Sequence, residues 1–447
     1  DDGGWTSHYD NWIVRNNVTS GSHFGITEYA NIRMSNSLFT DNQVGNGVIS
    51  SSDYTSLVLN SSIMSNNVAS QSSAIYFYRG SYLEINDCEF TNNQAGNAPG
   101  NEYEYWVIDG AVYSTNVIRN TLISDNVGGG IKPGPASLQG SNGNILENLT
   151  ITNNTGPGIT VRSSSNIINS SIITENGEGA HEQIVPYYGE TTPIDLEINY
   201  SNISMEESTI DSVEHINLTW GDGNINKDPR FRDAENEDYN LFASSPCINA
   251  ASPDSTDSDG TRPDMGAFPY FTDNNGSDWY VSTSGSDVTG SGTSENPFAS
   301  VQAGLNFAIN DNNSVYVAAG TYYENVEWVI ENLGLQLIGD DQETTIIDGG
   351  GTGSVLSIDS TFPFGEDIDT QVSGFTLTNG FSDYGGGLHL YRSSANFSDM
   401  IITGNTAYTK GAGISIQGTY HNSGGPDYPT FDNIIVSNNF ATGHIYA

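Results

Sequence analysis

An apolar residue three positions ahead of an asparagine recurs along this chain at nearly constant intervals. It stands at Val14, Phe39, Met64, Phe90, Ile123, Ile151 and Ile173, in steps of 25, 25, 26, 33, 28 and 22. It returns at Leu377, Ile402 and Val436, in steps of 25 and 34. The asparagines themselves are Asn17, Asn42, Asn67, Asn93, Asn126, Asn154, Asn176, Asn405 and Asn439, and only Gly380 breaks the series. The two longest steps contain the insertions "GNAPGNEYEYW" and "GTYHNSGGPDYP". An internal period of this length restricts the fold more than any composition could, because each copy is too short to bury a core alone.

Each copy continues through glycine into a second alternating run, such as "FGITEY", "SAIYFY", "GPGITV", "GGGLHLY" or "GHIYA". Alternation bounded by Gly and Asn predicts short strands separated by tight corners. The economical arrangement is a solenoid with one coil per copy, equivalent strands lying in parallel sheets about 4.8 Å apart. Asparagine suits the corner because it tolerates the left-handed conformation, and its amide stacks as a hydrogen-bonded ladder. A β-sandwich with Asn-rich turns would not hold one corner residue through ten copies. The expected class is therefore all-β, a solenoid.

Acidic residues number 54 against 12 Lys and Arg, so the 447-residue chain carries a formal charge of −42. That field disfavours nucleic acid, anionic lipid and acidic polysaccharide as partners, and attracts cations. Cys88 and Cys247 are far apart in sequence and read as two buried free thiols. No apolar run approaches the ~20 residues of a membrane helix. The register also carries across the termini. Val436 lies 447 − 436 = 11 residues from the end and Val14 is the fourteenth residue, so 11 + 14 restores 25.

After about residue 215 the repeat fades into "NKDPRF", "YNLFASSPCINAA" and "RPDMGAFPY", followed by a polar linker "TDNNGSDW". Then come "WYVSTSGSD", "NPFASVQAGLNFA" and "VYVAAGTYYENV". Val301, Leu305 and Ala308 fall on one face of a short helix near 298–310, opened by Ser300 or Asn296, which suits a cap over a bare solenoid end. These segments resemble the opening and closing parts of right-handed parallel β-helix proteins of the pectin-lyase-like superfamily, secreted or surface type. The resemblance is rotated, since the closing segment precedes the opening one. It implies C-terminal coils of one β-helix at 1–218, their closing segment at 219–270 and a linker at 271–278. The N-terminal cap of the next β-helix would follow at 279–314 and its coils at 315–447, continuing in pattern into residue 1. A tandem array, head-to-tail stacking of separate chains, a circular permutation and a nicked fragment all fit that order.

The resemblance brings polysaccharide lyases and hydrolases into view, although the scaffold also hosts inert members. Lyase chemistry needs cationic groups, and here Arg15, Arg33, Arg79, Arg119, Lys132, Arg162, Arg392 and Lys410 are spread over all coils. Glycoside hydrolysis needs two carboxylates about 5 to 9 Å apart, and the candidates Asp109 and Asp383 sit on distant coils. No catalytic residue is assigned. The insertions offer glycan or assembly contacts at Glu102, Tyr103, Tyr105, Trp106, Tyr187, Tyr188, Tyr420 and Tyr428, where rings stand near carboxylates. "PDSTDSDGTRPDMG" gathers Asp254, Asp257, Asp259 and Asp264 around a turn glycine, an oxygen-rich set of the kind calcium prefers. The isolated histidines lack zinc spacing. Glycosylation triplets at Asn17, Asn60, Asn148, Asn169, Asn217 and Asn396 follow from an Asn- and Ser-rich composition. The expected role is an extracellular or cell-surface structural protein, a filament, stalk or adhesin unit whose partners are copies of itself end to end. The alternative is a polysaccharide-binding or polysaccharide-cleaving protein.

Overall fold

A computed structural model gives the fold. It describes residues 6–27, 29–52, 54–77, 82–96, 105–110, 115–134, 143–162, 165–177, 182–187, 192–213, 215–330, 334–360, 369–418 and 429–442. The chain divides into two compact units, one of Asp1–Asn240 with Ala250–Asp257 and Arg262–Pro269, the other of Leu241–Asn249, Ser258–Thr261 and Tyr270–Ala447. Each is a parallel β-helix.

In the first unit a fifteen-stranded, a seven-stranded and a three-stranded sheet form the walls. One coil shows the plan: strands Asn31–Ser35, Leu38–Thr40, Gln43–Val44 and Ile49–Ser51, each pairing in parallel with its equivalent one coil later. The repeated apolar residue is the inward position of the second strand. Phe39 stacks on Met64, Met64 on Phe90, and Phe90 on Ile123, all fully buried. A second column runs Ile49, Ile75, Ile108, Ile131, Ile159 and Ile184 on the opposite wall. Burying side chains of this size contributes about 1.5–3 kcal/mol each. The period of 2 within strands and of one coil between them explains why a sequence of modest hydrophobicity suffices. Residues 250–257 and 262–269 lie along these coils, with the Gly266 amide donating to the Ser170 carbonyl and the Ala267 amide to Thr150 Oγ1.

The second unit builds eight-, four- and three-stranded sheets from the same coil plan. Its end is sealed by the helix Val301–Phe307. Ser300 Oγ caps that helix on the Ala303 amide, and Glu324 accepts from the Val301 and Gln302 amides at 2.7 and 3.0 Å. A carboxylate on these otherwise unpaired amides is favoured by hydrogen bonding and by the helix dipole. Under the helix, Trp279, Phe298 and Phe307 stack with centroids 5.0 to 6.2 Å apart, closing the core column that Trp279, Val315 and Leu337 share. No helix among the described residues is long and apolar enough to cross a membrane.

Candidate functional site

The coil-to-coil contact is the most specific chemistry in the molecule. Asn17 Nδ2 donates to Asn42 Oδ1 at 2.9 Å, Asn42 to Asn67 at 2.9 Å, Asn67 to Asn93 at 2.9 Å and Asn93 to Asn126 at 3.1 Å. Asn126, Asn154 and Asn176 continue at 2.8 Å, and in the second unit Asn405 donates to Asn439 at 3.0 Å. Beyond Asn17, each Nδ2 also reaches back to a carbonyl of the preceding coil, as Asn93 does to Met64 and Asn126 to Phe90. Each Oδ1 additionally accepts the backbone amide of the previous rung. One side chain thus touches the coils before and after its own, which is why the motif couples an apolar residue to an Asn three places on.

The left-handed corner is not where the sequence suggested. Positive φ falls on the residue before the ladder: Asn16, Asp41, Asn66, Asn92, Asp125, Asn153, Glu175, Asn379 and Asn438, all between 53° and 58°. The ladder residue keeps an ordinary backbone so that its side chain can turn inward. The two tasks need opposite side-chain directions, so one residue cannot perform both.

A second ladder runs beside the first without a sequence signature of its own. At the preceding corner, Ser37, Ser62, Thr121, Ser171 and Ser201 each use a hydroxyl to bond their own coil's carbonyl two residues back. Those same hydroxyls accept an amide from the coil before, as in Ser37 N to Ser62 Oγ at 3.1 Å. Cys88 occupies one rung, its Sγ donating to the Asn86 carbonyl at 3.1 Å. Burial pushes this thiol up to about 12. Both cysteines are free and buried. In the first unit the amide ladder ends on a side chain from outside the repeat, Gln183, whose Oε1 accepts from Asn176 Nδ2 at 2.9 Å. Gln183 stands only seven residues after Asn176, off the period, so the repeat does not mark it.

Among the aromatic candidates, Trp106 and Tyr187 come together with centroids 6.0 Å apart on the outer face of the seven-stranded sheet. Trp106 Nε1 donates to Thr160 at 2.9 Å, and Lys132 Nζ sits over the Trp106 ring at 4.0 Å and 2.9 Å from Asp109. Arg162 lies on the Tyr187 ring at 4.4 Å. Although the cations are spread along the sequence, Lys132 and Arg162 meet here around Asp109, because the three residues fall on consecutive coils. Burial raises Asp109 and lowers Lys132, each drawn partway back by the other's charge. Lys132 and Asp109 are each only 8% exposed and Trp106 3%, so the rings are occupied by cations and packing. A sugar face would have to displace them. Tyr105 packs on the glycine corner at Gly96. Glu102, Tyr103, Tyr188, Tyr420 and Tyr428 lie outside the described residues.

Of the four aspartates of the proposed calcium loop, Asp257 and Asp259 turn their carboxylates to backbone amides. In the first unit Asp257 accepts the Asp264 amide, and the Asp254 amide donates to Ser252. In the second, Asp259 accepts from the Thr261 and Thr272 amides and the Thr261 hydroxyl. No group of three or more His, Cys, Asp or Glu placed to hold a metal occurs among the described residues.

With this geometry in hand, comparison with known families is informative for the fold. A family model described as "right handed beta helix region" matches residues 60–226. The fold is accordingly that of a right-handed parallel β-helix protein. Among solved structures, a mutant of the PL6 family alginate lyase AlyGC aligns at 8% identity over 98% of this chain and 78% of its own, with a TM-score of 0.21. AlyGC without that substitution aligns at 9% identity over 98% and 86%, with a TM-score of 0.18. At such scores neither bears on function. Comparison with curated proteins yields no match.

Proposed function

We propose that the chain is an extracellular structural protein, a repeating β-helix unit of a filament, stalk or adhesin in which coils of this kind follow one another, in covalent tandem or by stacking of copies. The reading rests on the one-way amide ladder. From Asn17 through Asn154, and again at Asn405, each rung donates from Nδ2 to the Oδ1 of the next coil in sequence, so one coil of this pattern can follow another without a change of register. Coils joined this way add stability through nearest-neighbour interfaces, which suits a body that gains length by repetition. Two coil faces support it further. Val436 and Ala441 are exposed where their equivalents Ile402 and Ala407 are buried, and Val14 is half-buried where its equivalent Phe39 is fully buried. The chemistry that a polysaccharide enzyme would need is instead consumed internally, as at Lys132 and Asp109.

The test is the mass of the native protein under strongly denaturing conditions, followed by sedimentation of the 447-residue chain. A denatured species far above 47.9 kDa supports covalent tandem, and concentration-dependent growth of the isolated chain supports stacking. A native species of 47.9 kDa that stays monomeric at all concentrations defeats the reading.

A further inference from the structure

The first strands of the second unit leave a cleft on their outer face that the ladders do not use. Asp278–Val281, Ser314–Val317 and Gln336–Gly339 pair in parallel, with Trp279, Val315 and Leu337 turned into the core. The alternate positions Tyr280, Tyr316 and Ile338 therefore face outward in one register row. The two tyrosine rings stack at 5.4 Å and 23°. Beside this apolar floor the loop 282–297 folds back, with the Ser282 amide donating to the Phe298 carbonyl and the Ser286 amide to that of Pro297. The result is a cavity of about 710 Å³, open to solvent, walled by Ser282, Ser284, Asn296, Glu295 and Asp340. Its size lies within the range of small-ligand clefts, about 300–1,000 Å³.

We infer that this cleft binds a neutral saccharide chain. The lining contains no Lys, Arg or His, while Glu295 and Asp340 bring negative charge. Uronates and sulfated sugars meet like charge there and are rejected. Hydroxyl-rich neutral sugars find what they need. The rings and Ile338 cover the apolar faces of a pyranose, the serines accept from and donate to its hydroxyls, and the carboxylates accept from them. Tyr316 remains 36% exposed in a β-helix that buries most of its large side chains, so the ring offers surface without rearrangement. A carboxylate cannot itself donate, but it accepts two sugar hydroxyls in place of two waters, which preserves its solvation on binding.

Titration calorimetry of the intact chain with cellohexaose, mannohexaose and xylohexaose tests this, with hexamannuronate and choline as charged controls. At least one neutral hexaose is expected to bind in the micromolar to low-millimolar range and hexamannuronate not at all. Tyr316→Ala should weaken that binding about tenfold or more, as removal of an aromatic anchor does, and Tyr316→Phe should retain it. Asp340→Asn, at an exposed position, keeps the test usable if the alanine variant fails to fold, and should weaken binding severalfold. Saturation by hexamannuronate or choline alone, no saturation by any neutral hexaose up to about 10 mM, or unaltered affinity in both Tyr316→Ala and Asp340→Asn would each overturn the assignment.

Discussion

Asn93 has every polar atom satisfied by a neighbouring coil. Its Nδ2 serves the Met64 carbonyl and Asn126, and its Oδ1 serves the amide and side chain of Asn67. Removing a buried partner leaves the others desolvated and unpaired, at about 1–3 kcal/mol for each group. Asn93→Ala is therefore expected to lower unfolding free energy by about 3 kcal/mol or more, measured by urea denaturation. Asn17→Ala, at a half-buried rung with fewer partners, should lose less than half as much. Equal losses would mean that the ladder is incidental. Cys88 makes a parallel case. With its thiol pushed up to about 12, it should resist dithionitrobenzoate in the native protein at pH 8 and react on unfolding. The sign of its linkage follows from that shift. The unfolded thiol ionises from its ordinary value near 9 while the folded one holds its proton, so stability falls as pH rises from about 9 towards 12. Cys88→Ser should sit within about 1 kcal/mol of the parent, because serine fills neighbouring rungs.

At the scale of strands and corners, what could be read from the sequence depended on whether one residue type carries the task. The amide ladder tolerates almost nothing but Asn, so its positions stand out in the chain itself. The hydroxyl ladder accepts Ser, Thr and Cys in turn, and its Trp12 and Leu149 rungs contribute only amides, so the same period leaves no visible signature. The corner φ was assigned one residue late because Asn often occupies both positions, as in Asn16–Asn17 and Asn66–Asn67; the split shows openly where Asp41 or Glu175 takes the turn. The pair Asp109–Lys132 was invisible for another reason. Its partners are 23 residues apart, and their meeting depends on where strands begin after insertions of irregular length. That pair also gives a test of what outward sheet faces can bury. Both shifts favour the neutral forms, so the ion pair holds its charges against burial. Lys132→Met alone strands a carboxylate and should cost about 3 kcal/mol or more, whereas Asp109→Leu with Lys132→Met should restore the parent stability or exceed it. A double variant as weak as the single one would show that the pair contributes net attraction, as judged by urea midpoints.

For the molecule as a whole, the dominant long-range term is charge. A net −42 over 447 residues repels itself in any compact state, and several of the few cations are committed to local pairs, as Arg119 is to Glu147 and Arg392 to Asp359. Salt should therefore stabilise this protein. Raising NaCl from about 0.01 to 0.15 M contracts the Debye length from about 30 to 8 Å and so screens repulsion between carboxylates further apart than that. Tm at pH 7 is expected to rise by several degrees, read by calorimetry. The rise should vanish near pH 4, where about half of ordinary carboxylates are protonated and the repulsion is largely gone. Divalent ions separate diffuse from specific effects. At matched ionic strength, equal shifts with calcium and magnesium point to counterion screening alone. A larger shift with calcium that disappears in Asp257→Asn and Asp259→Asn would place a site in the 254–264 loop. If Tm does not respond to salt at pH 7, self-repulsion is not what limits the stability of these coils, and the ladders and core columns alone set it.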